Sequence, residues 1–292
     1  MTTRTLQLGP LQISLFGTRF CLGLEVSLRR SRQQNEAWNP SPVPVTDGAA
    51  DGDLAHRVAG IEWYHTIELA PGLVTPGVVD HRPILHQYRL PERMDGMRVL
   101  DVATFDGYWA FEFERRGAAE VVAIDVPSFG DVDLPPRRRA AHSPEELAVA
   151  MGQGFDVARL ALNSNVRRER INVYDLSPEQ LGTFDLVHIG DVLLHLRDPL
   201  RALWNVRRMT RKGGIAIVSD VFNPDLDRHE ETPLIEYNRG RGDTIWWRFG
   251  ANTLRKMLQD AGFDRVEELA RFRYAGTNNL SRTSHVVFRA SD

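Results

Sequence analysis

Apolar and polar positions follow two different rhythms along this chain, and the change of rhythm divides it. From residue 11 the period is two: Leu11, Ile13 and Leu15 alternate with polar positions. Phe16-Gly17-Thr18 then offers a turn, and Phe20, Leu22, Leu24, Val26 and Leu28 alternate again. This predicts a β-hairpin within residues 4–28, with Leu6 and Leu8 on a further short strand. A lone hairpin is marginal in water, so its apolar face needs either the core or a second subunit. A homodimer contact through the hairpin is the expectation.

Beyond residue 98 short continuous apolar runs alternate with helical stretches. Val99, Leu100 and Val102 read as a buried parallel strand, Tyr108–Arg116 as a helix between Gly107 and Gly117, and Val121–Ile124 as a second strand ending on Asp125. Further strands are expected at Ile171–Val173, from Phe184, at Ile215–Ser219, and as a closing antiparallel pair near Val266–Tyr274 and Ser284–Arg289. Helices are expected at Phe155–Leu162, from Pro199 to Gly213-Gly214 with Leu200, Leu203, Trp204 and Val206 inward, and across Leu254, Met257, Leu258 and Ala261. Such alternation predicts an α/β doubly wound sheet.

The intervening chain is less regular. Residues 29–53 have linker composition, and Leu54–Glu62 reads as a short helix. Trp63–Asp80 gathers aromatics, His65 and two Pro-Gly turns, which suits either a lid or a structured cover for the sheet edge. His81–Leu90 reads as a second short helix with Asp80 as N-cap and Pro83 in its first turn. Three regions follow: hairpin and linker over 1–52, a cap or lid over 53–90, and a core over 91–292.

Composition narrows the possibilities. The net charge of −3 over 292 residues supplies no basic field for nucleic acid. Cys21 is the single cysteine, which excludes intrachain disulfides and cysteine zinc sites. No apolar run reaches membrane-spanning length and no signal-peptide pattern opens the chain, so a soluble cytoplasmic protein without membrane contact is expected. Nothing demands a metal.

The chemistry concentrates between Asp101 and Asp125. A turn into a helix N-terminus, with a carboxylate ending the next strand, is a nucleotide-type site, because that carboxylate can accept both ribose hydroxyls. The dinucleotide fingerprint is broken: Ala103 and Phe105 stand where its first two glycines would be. Phe105 would obstruct a pyrophosphate, whereas Asp101 suits a cofactor with an ammonium group and no phosphate. That describes S-adenosylmethionine; the plainer alternative is an ordinary βαβ unit.

Asp101-Val-Ala-Thr-Phe-Asp-Gly107 resembles motif I of class I S-adenosylmethionine-dependent methyltransferases. With Trp63-Tyr-His-Thr-Ile-Glu68, Thr75-Pro-Gly77, Phe184-Asp-Leu-Val187 and Val192-Leu-Leu-His-Leu-Arg-Asp-Pro199, residues 60–290 are similar to methyltransferases related to the bacterial wobble-uridine tRNA methyl- and carboxymethyltransferases. The resemblance implies a Rossmann-like, seven-stranded, mostly parallel sheet with an antiparallel last strand, here extended by the N-terminal hairpin. It places Asp101, Ala103, Thr104, Phe105 and Gly107 around the methionine and ribose, and Asp125 on the ribose. Val126, Tyr174 and Asp175 fall near the adenine, and Gly190, Asp191 and Val192 near the sulfonium. The carboxymethyl branch resembles Val-Leu-Tyr-His where this chain has Val192-Leu-Leu-His195, and no lysine precedes Lys212 to meet an extra carboxylate, so a plain methyl group is expected.

Candidate bases are His65, His188 and His195, with Tyr64 and Asp191 as neighbours. His188 lies within a strand and suits a packed, hydrogen-bonded role, and His195 suits bracing of its loop. His65 is the first choice. Trp63, Tyr237, Trp246 and Trp247 are candidate substrate contacts, though packing suits the two adjacent tryptophans equally. The function expected is methyl transfer to oxygen, nitrogen or carbon of a small molecule, in specialised metabolism. The alternatives are a tRNA wobble-uridine methyltransferase or a non-catalytic S-adenosylmethionine-binding protein.

Overall fold

The computed structural model describes residues 4–8, 11–18, 21–28, 51–228, 232–238, 244–276 and 282–292. Two compact units divide the chain, Met1–Trp38 and Asn39–Asp292. In the first, strands β1 (Arg4–Leu8), β2 (Leu11–Thr18) and β3 (Cys21–Leu28) form an antiparallel sheet in that order. Its register pairs Leu15 with Leu24 and Ile13 with Val26, as the period-two pattern requires. Most of the linker expected over 29–53 lies outside the described residues.

The second unit opens with helix α1 (Asp51–Ala59) and a small ribbon, β4 (Glu68–Ala70) with β5 (Leu73–Val74). The second helix expected near residue 81 is a 3-10 turn over Arg82–Tyr88, with His81 rather than Asp80 at the cap position. Asp80 still serves the helix start from one residue upstream: its Oδ1 accepts the Arg82 N–H at 3.1 Å while the carboxylate also holds the Arg82 guanidinium.

The core then runs β6 (Arg98–Val102), α2 (Tyr108–Arg115), β7 (Glu120–Asp125), α3 (Pro136–Arg139), α4 (Pro144–Leu147), α5 (Gln153–Ala161) and β8 (Arg167–Arg170). It continues with α6 (Pro178–Leu181), β9 (Phe184–Gly190), α7 (Pro199–Met209), β10 (Thr210–Phe222), β11 (Ile235–Tyr237), β12 (Trp247–Phe249), α8 (Ala251–Asp260), β13 (Arg265–Ala275) and β14 (Arg282–Ser291). Hydrogen bonding orders the main strands β8-β7-β6-β9-β10-β14-β13, with β14 alone reversed. β11 and β12 fan off the far end of β10. Strand order therefore reverses between β6 and β9, and ligands of such sheets bind beyond the strand ends at that switch.

Alternate side chains bury on opposite faces. Leu100, Val102, Val187 and Val218 pack with α7 and α8, whereas Val99, Ala123, Leu186 and Ile217 pack with α2 and α5. Three expectations shift. The third strand lies earlier, at β8, because an edge strand is set by its ladder to β7; Val173 buries from a following 3-10 turn. β10 begins directly at Thr210, and Gly213-Gly214 sit in its irregular stretch, where a Cβ on Gly214 would approach the Phe184 and Asp185 carbonyls at 3.0 Å. On α7 the inward face is Ala202, Leu203, Val206 and Met209, while Leu200 and Trp204 are exposed.

Candidate active site

The turn after β6 is shaped by backbone conformation. Ala103, Phe105 and Gly107 all have positive φ, at 59°, 51° and 89°. At Gly107 a Cβ would meet the Phe111 and Phe155 rings at 2.5 and 2.6 Å, so only glycine serves there. Thr104 is buried, and its N–H donates to the Ile124 carbonyl at 3.0 Å, tying the turn to β7. Asp125 closes the arrangement: its Oδ2 accepts the Phe105 N–H at 2.8 Å and its Oδ1 the Val126 N–H at 2.7 Å. Burial raises this carboxyl above its ordinary value, against the two N–H donors and the nearby Arg168 guanidinium.

Those residues fit the expected cofactor. Each Asp125 oxygen keeps a lone pair after its backbone bond, enough for a pair of ribose hydroxyls. Gly190 ends β9 beside the turn, where a Cβ would lie 2.9 Å from Ser219 Oγ, so the chain is kept bare at the position assigned to the sulfonium region. Two assignments depart. Asp101 is 1% exposed and its Oδ1 faces His188 Nδ1 at 2.8 Å, so it forms the floor beneath the turn rather than an open ammonium ligand. Tyr174 commits its hydroxyl to Asp133 Oδ2 and the Asp198 N–H, under the Arg201 guanidinium, while Asp175 is largely solvent-exposed.

A wall of polar aromatics stands over the strand ends. Asp106 Oδ2 accepts the backbone N–H groups of Tyr64 and His65 at 2.7 and 3.0 Å, fastening Trp63–Asp80 to the motif turn. Thr75 Oγ1 donates to the His65 carbonyl at 2.7 Å and accepts the Ile67 N–H. A Cβ on Gly77 would meet the His65 carbonyl carbon at 2.1 Å, so the second Pro-Gly turn must be glycine for the two passes of chain to meet. The segment is thus a bonded wall. His65 is buried, with its ring 4.8 Å from Tyr64, 5.5 Å from His81 and 5.8 Å from Tyr108.

Burial sets the protonation of this wall. It drives His65 well below its ordinary value, helped by His81, and takes His81 to about 4, so both rings are neutral at physiological pH. Tyr64 is raised by burial and then by Asp191 and Asp220, and stays a phenol. Asp220 is driven well above the carboxylate range by burial and the Asp191 charge; its oxygens accept the Val221 and Leu193 N–H groups at 2.7 and 2.9 Å. Asp191 has φ 51° and lies 3.3 Å from His285 Nδ1. Val192 packs into the core and its carbonyl starts the turn that carries His195.

Other expected contacts point elsewhere. Trp63 is 4% exposed and donates its indole N–H to the Val58 carbonyl at 2.9 Å, so it seals α1 and offers no face to a substrate. Trp246 and Trp247 donate theirs to the Asp133 and Leu196 carbonyls, which gives both a packing role. Tyr237 is 54% exposed, against Trp247. His195 Nδ1 meets the Thr244 hydroxyl at 2.8 Å, bracing its loop. Sequence reasoning missed Asp106, His81, Asp220, Tyr274 and His285. Asp106 stood inside the motif itself; the others lie on elements far apart in sequence and carry no spacing signal.

Known proteins give a consistent placement. A family model described as a methyltransferase domain matches residues 82–268. A tRNA U34 carboxymethyltransferase of Mannheimia succiniciproducens is 25% identical over 185 residues, which is 63% of this chain and 49% of that protein. The same enzyme of Actinobacillus succinogenes is 29% identical over 141 residues, 48% of this chain and 36% of its own. This chain therefore spans half or less of those relatives' length. Among solved structures, the N-terminal domain of EvdMO1 with SAH bound superposes with a TM-score of 0.56 at 16% identity, covering 83% of this chain and 97% of that domain. That likeness concerns the fold.

Proposed function

We propose that this chain, which belongs to the methyltransferase-domain family, uses S-adenosylmethionine as its methyl donor and methylates a small-molecule acceptor held against Tyr64, His65 and Asp191. The observation that carries this reading is the buried wall itself. Tyr64 and His65 stand edge to face, pinned by Asp106, with the Asp191 charge acting on both. An enclosed set of neutral rings beside one ionised carboxylate suits a compact polar acceptor.

The donor supplies an activated methyl group, so the chain's task is alignment, exclusion of water and removal of a proton. Asp125, the Ala103–Gly107 turn and Gly190 would hold the donor. Tyr64, a phenol at working pH, offers a hydrogen-bond donor, and neutral His65 lines the wall beside it. The net charge of −3 supports a small acceptor over a polyanion. The second reading, methyl transfer to a tRNA wobble uridine, is favoured by the names of the relatives and by exposed Arg137 and Arg139 on α3.

Incubation with methyl-labelled donor, once with bulk tRNA and once with a small-molecule metabolite pool, separates the two. Label in the small-molecule fraction supports the proposal; label confined to tRNA replaces it with the second reading. A cytoplasmic place in specialised metabolism and self-association through residues 4–28 complete the proposal. Among the described residues no helix is long and apolar enough to cross a membrane. A monomeric mass by light scattering would sink the self-association.

A further inference from the structure

Asp191 follows the last residue of β9 at the switch in strand order, and its backbone takes a left-handed turn with φ 51°. That turn brings Oδ1 to 3.3 Å from Nδ1 of His285, on β14. His285 is itself fixed. Its Nε2 meets the Thr283 hydroxyl at 2.8 Å, its ring stacks on Phe272 at 5.6 Å with 4° between planes, and Tyr274 stands edge-on at 6.0 Å. Asp191 Oδ1 is buried while the side chain keeps 12% exposure, so Oδ2 is the oxygen left open.

We propose that Asp191 is the catalytic base of the methyl transfer and that His285, on the reversed strand, is the positioning residue that holds it ionised with Oδ2 toward the acceptor. This rests on the function proposed above. As the acceptor's lone pair bonds to the methyl carbon, the carbon–sulfur pair departs with sulfur, and the proton on the acceptor atom passes to Oδ2. The donor's positive charge is consumed, the acceptor atom ends neutral, and the proton ends on Asp191. Alkylation makes that proton strongly acidic, so even a carboxylate of low basicity takes it. The neutral His65 on the same wall has both burial and neighbouring histidines set against gaining a charge.

The charged and titratable neighbours fit this division. On Asp191, burial alone would raise the carboxyl, yet it lies below the ordinary carboxylate range, chiefly because the His285 imidazolium favours its charge. On His285, burial lowers and Asp191 raises, and the net direction is up. Asp220 from β10 also faces the pair and is kept protonated, so it adds no second charge; Tyr64 and Tyr274 are phenols held neutral by burial.

The test uses the full chain saturated with S-adenosylhomocysteine. Histidine Cε1 resonances, assigned through His285→Gln, are followed against pH in the wild type and in Asp191→Asn. Expected is a His285 midpoint above the ordinary 6.5 that falls by about one unit or more in Asp191→Asn. A midpoint at or below the ordinary value, or one unmoved by Asp191→Asn, overturns the pairing.

The kinetic arm measures methyl-label transfer to the small-molecule pool and to bulk tRNA. Asp191→Asn should lower kcat roughly 10²- to 10⁴-fold at saturating donor. His285→Gln should move the acid limb of the pH profile upward, since Asp191 loses its cation; an unmoved limb overturns the positioning role, and full activity in Asp191→Asn overturns the base. If the wild type labels neither pool, the base role falls with the reading it rests on, while the resonance titration still decides the pair.

Discussion

His188 Nδ1 lies 2.8 Å from Asp101 Oδ1, between two side chains each 1% exposed. The two residues are direct register partners on the parallel strands β6 and β9, so the pair spans the switch in strand order. Trp109 packs against the imidazole at 4.7 Å and Phe113 at 5.6 Å, which leaves the carboxylate no other described partner. The acid of the motif thus anchors the floor on which the cofactor turn is built.

Removing the imidazole should therefore strand a buried carboxylate. His188→Leu is expected to destabilise the protein by about 3–5 kcal/mol, more than a simple cavity of that size. Chemical denaturation measures this. The double variant His188→Leu with Asp101→Leu should recover part of the loss, and a double variant as unstable as the sum of the singles would refute the pairing.

Gly107→Ala should be severe for two independent reasons, the left-handed φ of 89° and the approach to the Phe111 and Phe155 rings. A loss of roughly 2–4 kcal/mol is expected, with donor binding lost as the turn shifts. A well-folded Gly107→Ala that binds S-adenosylhomocysteine like the wild type would show that the turn is not the cofactor cradle.

Asp125→Asn keeps the size and one carbonyl acceptor but replaces the other oxygen with a donor, facing a backbone N–H. Calorimetric titration with S-adenosylmethionine should show affinity reduced by about tenfold or more, corresponding to loss of a charge-assisted hydrogen bond. Unchanged affinity would remove Asp125 from the ribose site.

Asp106 gives a pH signature. Burial pushes it up from 3.8 to about 7, against the two N–H donors. The folded chain then holds this proton more tightly than the unfolded chain does. Its contribution to stability is complete below the unfolded value and declines as pH rises through the folded one. Asp106→Asn keeps an acceptor for Tyr64 and His65 yet cannot titrate. Its Tm should fall less than that of the wild type between about pH 5 and about pH 8, and parallel curves would count against the shift.

Trp246→Phe removes one indole N–H bond to the Asp133 carbonyl. The expected cost is about 1–2 kcal/mol in thermal or chemical unfolding, with acceptor preference unchanged. A change of preference without a stability loss would return Trp246 to the substrate site.

The sequence by itself determined the alternation of strands and helices, the motif turn and the acid that ends β7. Each is written in neighbouring residues: apolar runs of strand length, Gly107 at a position no side chain fits, and Asp125 closing an apolar strand. Short-range sterics and burial period decide such features locally. The switch between β6 and β9 followed from the same strand order. Only the tertiary structure decided which side chains meet there. Asp101 turned inward because its register partner is His188, and Trp246 was claimed by the carbonyl of Asp133. Asp191 acquired His285 from the reversed strand β14, some ninety positions along, through a sheet ladder that fixes which strands neighbour one another. Side chains so distant in sequence have no periodicity linking them, and their charges are set by the burial and partners that folding supplies.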